Sequence, residues 1–213
     1  MSAGLVLAAT LTGLAALGSA VGAPPLPPPL ALLDQRLPGV FRLHMLAAGL
    51  ALILLPCAIL LRHKPRLHRP VGRATASCLL VGAAAALPSA IASEAVWVAK
   101  LGFLAQGGLC LTLLILALVA IRRGKRARHA QWMQQAAATA FGAVVLRLLL
   151  VLAVLLELPF DAAYAVIAWV SWMLPLAAVH VWHLPILRGQ SRRAASSGLA
   201  APTEIGRQPI SAT

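Results

Sequence analysis

Long apolar runs, each closed by a charge, set the rhythm of this chain. No charged residue occurs from Ser2 to Leu33, and uncharged stretches of nineteen, twenty and twenty-one residues separate Arg42 from Arg62, Arg73 from Glu94, and Lys100 from Arg122. His129 to Glu157 encloses twenty-seven residues interrupted only by Arg147, and Asp161 to Arg188 encloses twenty-six. A helix rising 1.5 Å per residue needs about twenty residues to cross a hydrocarbon layer of roughly 30 Å. The pattern predicts an all-α polytopic membrane protein, a bundle of six transmembrane helices near 3–22, 40–62, 72–98, 101–122, 131–156 and 162–187.

Proline and glycine punctuate these spans. Ala23-Pro-Pro-Leu-Pro-Pro-Pro-Leu30 lacks most of the N–H groups a helix needs, which predicts an extended connector between the first two spans. Pro70 suits the first turn of the third helix, whereas Pro56, Pro88 and Pro175 fall inside spans and should kink them. Gly18-x-x-x-Gly22 fits a close helix contact. The small residues from Gly18 to Ala23 also resemble a signal-peptide cleavage site, but no Lys or Arg precedes the run and Pro24 follows it, so a retained span is expected. No internal repeat is evident at periods of 20 to 50 residues. One transmembrane domain over 1–189 and a disordered cytoplasmic tail over 190–213, rich in Ser, Ala and Arg, complete the expected organisation.

Composition agrees with lipid as the solvent. The chain is 61% hydrophobic and 11% charged, with mean hydropathy +0.88, against about half and a quarter in soluble domains. The formal charge of +13 would by itself suit nucleic acid. Five basic residues, however, lie between Arg62 and Arg73, five between Arg122 and Arg128, and four in the tail at Arg188, Arg192, Arg193 and Arg207. Alternation of these clusters with apolar runs is the positive-inside pattern of cytoplasmic loops. The expected partner is therefore a lipid bilayer and not nucleic acid, in a bacterial inner membrane with both termini cytoplasmic. Cys57, Cys78 and Cys110 all fall within apolar runs without Cys-x-x-Cys spacing, which predicts free thiols.

Ionisable groups inside a bilayer are costly and so point to function or to helix register. Arg147 lies ten residues before Glu157, about 15 Å along a helix and close to the midplane. Glu94 and His44 enter the same half at shallower depths, so His44, Glu94 and Arg147 form an expected intramembrane polar cluster, with an Arg147/Glu94 pair at its centre. A second group gathers at the opposite face. Arg66-Leu-His68-Arg69-Pro-Val-Gly-Arg73 leads into the third span and Arg128-His129-Ala-Gln-Trp132-Met133 into the fifth, while His180 and His183 lie one turn apart near the end of the sixth. Imidazoles can ligate haem iron or zinc, and guanidinium groups can hold haem propionates.

These runs resemble a known group. His68-Arg-Pro-Val-Gly-Arg73, His129-Ala-Gln-Trp-Met133, Arg147 and Ala168-Trp-Val-Ser-Trp172 follow one another in the order seen in bacterial membrane proteins of domain-of-unknown-function family 2306. The resemblance covers about residues 40–187 and implies a multi-helix membrane protein. The chain departs from that pattern at Gln134 and Gln135, where the family tends to place Arg, and at Pro175 and His180.

Three functions follow from the sequence. The first is a protein binding b-type haem for membrane redox chemistry, with His68, His129 and His180 as ligands and Arg69, Arg73 and Arg128 as propionate contacts. The second is a small transporter or permease-like protein built on the Arg147/Glu94 pair. The third is a structural or assembly partner of a membrane complex. No Walker loop, dinucleotide glycine pattern or hydrolase triad is present, and five acidic residues leave little material for carboxylate catalysis.

Overall fold

Seven helices and a single 3-10 turn carry the chain in the computed structural model, which describes residues 3–23 and 25–198, the side chains of 182–198 excepted. They are α1 (Ala3–Ala20), α2 (Pro28–Arg36), α3 (Val40–Leu60), the turn Leu61–His63, α4 (Pro65–Ala92), α5 (Trp97–Arg122), α6 (Arg126–Leu155) and α7 (Phe160–Gly198). All but α2 are long and apolar enough to cross a membrane, giving six candidate spans, and no strand occurs among the described residues. The chain divides after Val179 into two units. The first is the bundle described below. The second continues helical backbone from His180 to Gly198, beyond the expected start of the tail, and residues 199–213 lie outside the described residues.

The bundle is packed on small residues. Lipid tails are as apolar as leucine, so helices in a membrane gain little by hiding leucine and gain more by close backbone approach. Accordingly, alanine dominates the buried set, while Leu148, Val151, Val154 and Leu155 face outward from α6. Helices α3, α4, α5 and α6 pack in sequence and close on one another through α3 and α6. Helix α1 fills the groove between α3 and α6, where Ala9, Leu52 and Val144 form one buried cluster. Helix α7 packs on α5 and α6: Trp169 Nε1 donates to the Val98 carbonyl at 3.0 Å, and Trp172 lies against Gly142. All basic inter-helix loops lie at one end of this bundle, and α2 lies at the other.

Several local expectations change. The proline-rich connector is non-helical over the described residues 25–27 only, because Pro28 opens α2 in the first turn, where a missing N–H breaks no helical bond. Pro65, not Pro70, takes that role in α4; the helix begins seven residues before the expected start at 72, and Pro70 lies inside it. Helix α4 also stops at Ala92, short of the expected 98, as Ser93 turns to extended backbone. Gly18 and Gly22 do not mediate a helix crossing. Gly22 adopts φ +87°, Ala23 N–H donates to the Gly18 carbonyl and Gly22 N–H to Ser19, which together cap the end of α1. The close crossing is instead between Gly13 of α1 and Gly49 of α3, where a Cβ added to either glycine would lie 2.7–2.8 Å from the other's carbonyl oxygen.

Candidate functional site

A cavity of about 290 Å³ opens inside the half of the bundle that adjoins α2. It exists because the facing helices meet there through small side chains: Ala48 of α3, Gly82, Ala83 and Ala86 of α4, Gly107 of α5, and Ala140, Gly142 and Ala143 of α6. Phe41, Leu52, Leu79 and Leu146 add apolar wall, and Leu30 and Leu33 of α2 border the end towards that surface. His44, Gln106, Thr139, Arg147 and Tyr164 are among the polar residues that line this largely apolar space.

Each polar group is held by the backbone around it. His44 Nδ1 lies 2.8 Å from the Gly82 carbonyl; a carbonyl only accepts, so Nδ1 carries the hydrogen and Nε2 is left for other contacts. Glycine at 82 permits this approach, since a Cβ there would lie 3.0 Å from the Ala48 nitrogen. Gln106 Nε2 donates to the Thr139 carbonyl at 3.0 Å and ties α5 to α6. Thr139 and Ser89 donate their hydroxyl hydrogens to carbonyls one turn back in their own helices, at 2.9 and 2.8 Å. Tyr164 is wedged between Phe103 and Phe160, with ring centroids 5.6 and 5.3 Å away.

Arg147 differs from the others. Its one hydrogen bond to protein is Nη1 donating to the Ala143 carbonyl at 2.8 Å, one turn back in α6. A guanidinium has five N–H donors, so four are without a protein partner among the described residues. No salt bridge to Arg147 is formed among the described residues, and Arg147, one of the residues lining the cavity, is exposed.

Of the expected cluster, the structure thus brings His44 and Arg147 to one cavity and places Glu94 elsewhere. Glu94 lies in the short link between α4 and α5, about half exposed, and forms an ion pair with Arg36 of α2. Arg36 also donates to the Ala92 carbonyl at 3.1 Å, and Asp34 of α2 accepts a bidentate grip from Arg42 of α3. These contacts latch α2 over the cavity. Glu94→Gln is expected to raise hydrogen exchange of the α2 amides by up to about fivefold, matching the 0.2–1 kcal/mol of an exposed ion pair; unchanged exchange would leave the latch to the Arg36–Ala92 and Asp34–Arg42 contacts.

At the opposite, basic end, His68 and His129 occupy equivalent places. Each is the fourth residue of its helix, α4 or α6, and each directs Nδ1 at an alanine carbonyl of the preceding helix, Ala58 or Ala117, at 2.9 Å. The loops also share a pattern, Arg62-x-Lys64-x-x-x-His68 and Arg123-x-Lys125-x-x-x-His129, with Lys64 and Lys125 both at helix N-caps. The Arg, Lys and His of the two loops are thus each sixty-one residues apart, while the accepting carbonyls of Ala58 and Ala117 are fifty-nine apart. Arg69, Arg73 and Arg128 are exposed at this end, and His180 is exposed on α7 in the second unit. The side chain of His183 lies outside the described residues. No group of three or more His, Cys, Asp or Glu suited to a metal ion occurs among the described residues.

Gln106, Thr139 and Tyr164 were not anticipated as site residues. The available signal was Gln106, an amide alone in the first half of an uncharged run, and Tyr164, the single tyrosine of the chain. On α7, buried Ser171 Oγ and Trp172 Nε1 have no protein partner in the described structure.

In comparison with known proteins, a family model described as "Predicted membrane protein (DUF2306)" matches residues 41–183. No curated protein and no solved structure matches the chain.

Proposed function

As the chain belongs to the DUF2306 family of predicted membrane proteins, we propose that it is a small multi-pass, permease-like protein that binds a small molecule in the cavity beneath α2. One observation carries this reading: an arginine deep in a membrane span borders a cavity of about 290 Å³ with no carboxylate among the described residues to neutralise it. A charge within the hydrocarbon region costs at least a few kcal/mol, and helix packing alone gives no reason to keep four guanidinium donors without a protein partner. The excess of Lys and Arg in the loops at the other end supports a cytoplasmic basic face and a bacterial inner membrane, with the cavity adjoining the outer surface. The experiment is saturable binding of small amphipathic molecules to the purified protein. Ala86→Leu, which fills the cavity from α4, should abolish it; binding that survives this change, or none for any chemical class, would overturn the reading.

The basic end supports a second reading, b-haem binding by His68 and His129. A histidine ligand commonly donates its other ring nitrogen to a backbone carbonyl, which fixes the tautomer and orients the ring, and both side chains have that arrangement. Their donor chemistry thus suits haem, with Arg69, Arg73 and Arg128 as exposed propionate contacts; bound haem would supply one-electron redox chemistry. An absorption spectrum of protein produced with excess haem tests this: a Soret band that shifts on dithionite reduction is expected, and no band would remove the reading.

A further inference from the structure

Resting on the permease-like reading, we infer that the molecule taken by the cavity is a small monoanion with an apolar body, a lipophilic carboxylate, held by Arg147. The argument is an inventory of charge. Among the described residues, Arg147 is the one Lys or Arg that lines the cavity, and no acidic residue lines it. Asp34 and Glu94 are engaged with Arg42 and Arg36, and Glu157 and Asp161 lie at the surface beyond α6 and at the start of α7. A ligand ammonium would therefore meet a guanidinium with no carboxylate to receive it. That disfavours amines, and it disfavours amino acids and other zwitterions as well.

Charge number follows from the same count. One guanidinium neutralises one negative charge, and a dianion would bring a second, uncompensated charge into the membrane interior, where the cost is several kcal/mol. The four free N–H groups form a planar fork, which matches the two oxygens of a carboxylate by parallel hydrogen bonds. Size and polarity set the remainder. A volume of about 290 Å³ suits a small organic acid, and the cavity walls are mainly Ala, Gly, Leu and Phe. His44 Nε2 and the Gln106 amide can take a hydroxyl or carbonyl on the ligand body.

The test uses four isosteric probes on detergent-purified protein, followed by calorimetry: 3-phenylpropanoate, 3-phenylpropan-1-ol, 3-phenylpropylamine and phenylalanine, with phenyl phosphate as the dianion arm. The expected result is measurable binding of 3-phenylpropanoate and at least tenfold weaker binding of the other four. Arg147→Gln should weaken the carboxylate by about tenfold to a hundredfold, the range for a lost charge-assisted hydrogen bond, while leaving the alcohol unchanged. Arg147→Lys, which keeps the charge and loses the fork, should fall between. Preference for the alcohol, amine, zwitterion or phosphate, or an equal carboxylate affinity in Arg147→Gln, would overturn the ligand class and leave the cavity reading standing. Failure of all five to bind, in wild type and both variants alike, would overturn both. Should Arg147→Gln not fold, the lysine variant and the probe series on wild type still decide the matter.

Discussion

Gly142→Ala is expected to destabilise the protein by about 1–3 kcal/mol, the range for overfilling a packed interior, although the same change in an ordinary helix stabilises by roughly 0.5–1 kcal/mol. The reversed sign comes from geometry. A Cβ at 142 would lie 2.8 Å from Trp172 Cβ and 2.9 Å from both Trp172 Cα and Gln106 Nε2. The Cα is backbone, so α7 as a whole must retreat from α6. Gln106 must also give way, and with it the hydrogen bond to the Thr139 carbonyl that ties α5 to α6 beside the cavity. Gly108 is the matching control. It lies within α5 with nothing within 4 Å of its added Cβ, so Gly108→Ala should be neutral or stabilising. Unfolding of both variants in the same detergent, followed by far-UV circular dichroism, checks the contrast; equal effects would mean that α6 and α7 are not in such close contact.

The second large effect is expected at the crossing of α1 and α3. Gly13→Ala places a methyl 2.7 Å from the Gly49 carbonyl oxygen and 2.8 Å from Ile53 Cγ1, and Gly49→Ala meets the Gly13 carbonyl at 2.8 Å. Each substitution should cost about 1–3 kcal/mol. Both relieve the strain by the same separation of helices, so the double variant should cost clearly less than the sum of the two singles. Strict additivity would contradict the crossing. The result also bears on the first apolar segment, because an α1 that contributes Ala9 to a cluster with Leu52 and Val144 acts as a wall of the bundle.

The spans were legible in the sequence because charge is so expensive in hydrocarbon that the spacing between charges measures helix length directly. Arg147 and His44 were legible for the same reason, as polar groups with no lipid-facing explanation. Helix α2 was not, since a run of prolines reads as non-helical unless one knows that Pro28 and Pro29 stand in the first turn. That omission also misplaced Glu94. Counting residues to Lys100 left Glu94 inside a span, whereas α4 ends at Ala92 and the partner of Glu94 comes from the helix the sequence did not reveal. The crossing glycines were hidden differently: in a chain so rich in Ala and Gly, the spacing Gly18-x-x-x-Gly22 stands out, while Gly13 and Gly49 lie on separate helices and no local pattern joins them. The cavity itself arises from residues that are missing bulk, which periodicity does not record.

Charged thiol reagents measure the central claim most directly. In a variant with Cys57, Cys78 and Cys110 replaced by alanine, Ser89→Cys sets one thiol on the cavity wall contributed by α4. An anionic methanethiosulfonate should modify it at least tenfold faster than a cationic reagent of similar size, and Arg147→Gln should bring the two rates together. Equal rates in the presence of Arg147, or a faster cationic reagent, would contradict a cavity whose free charge is that guanidinium.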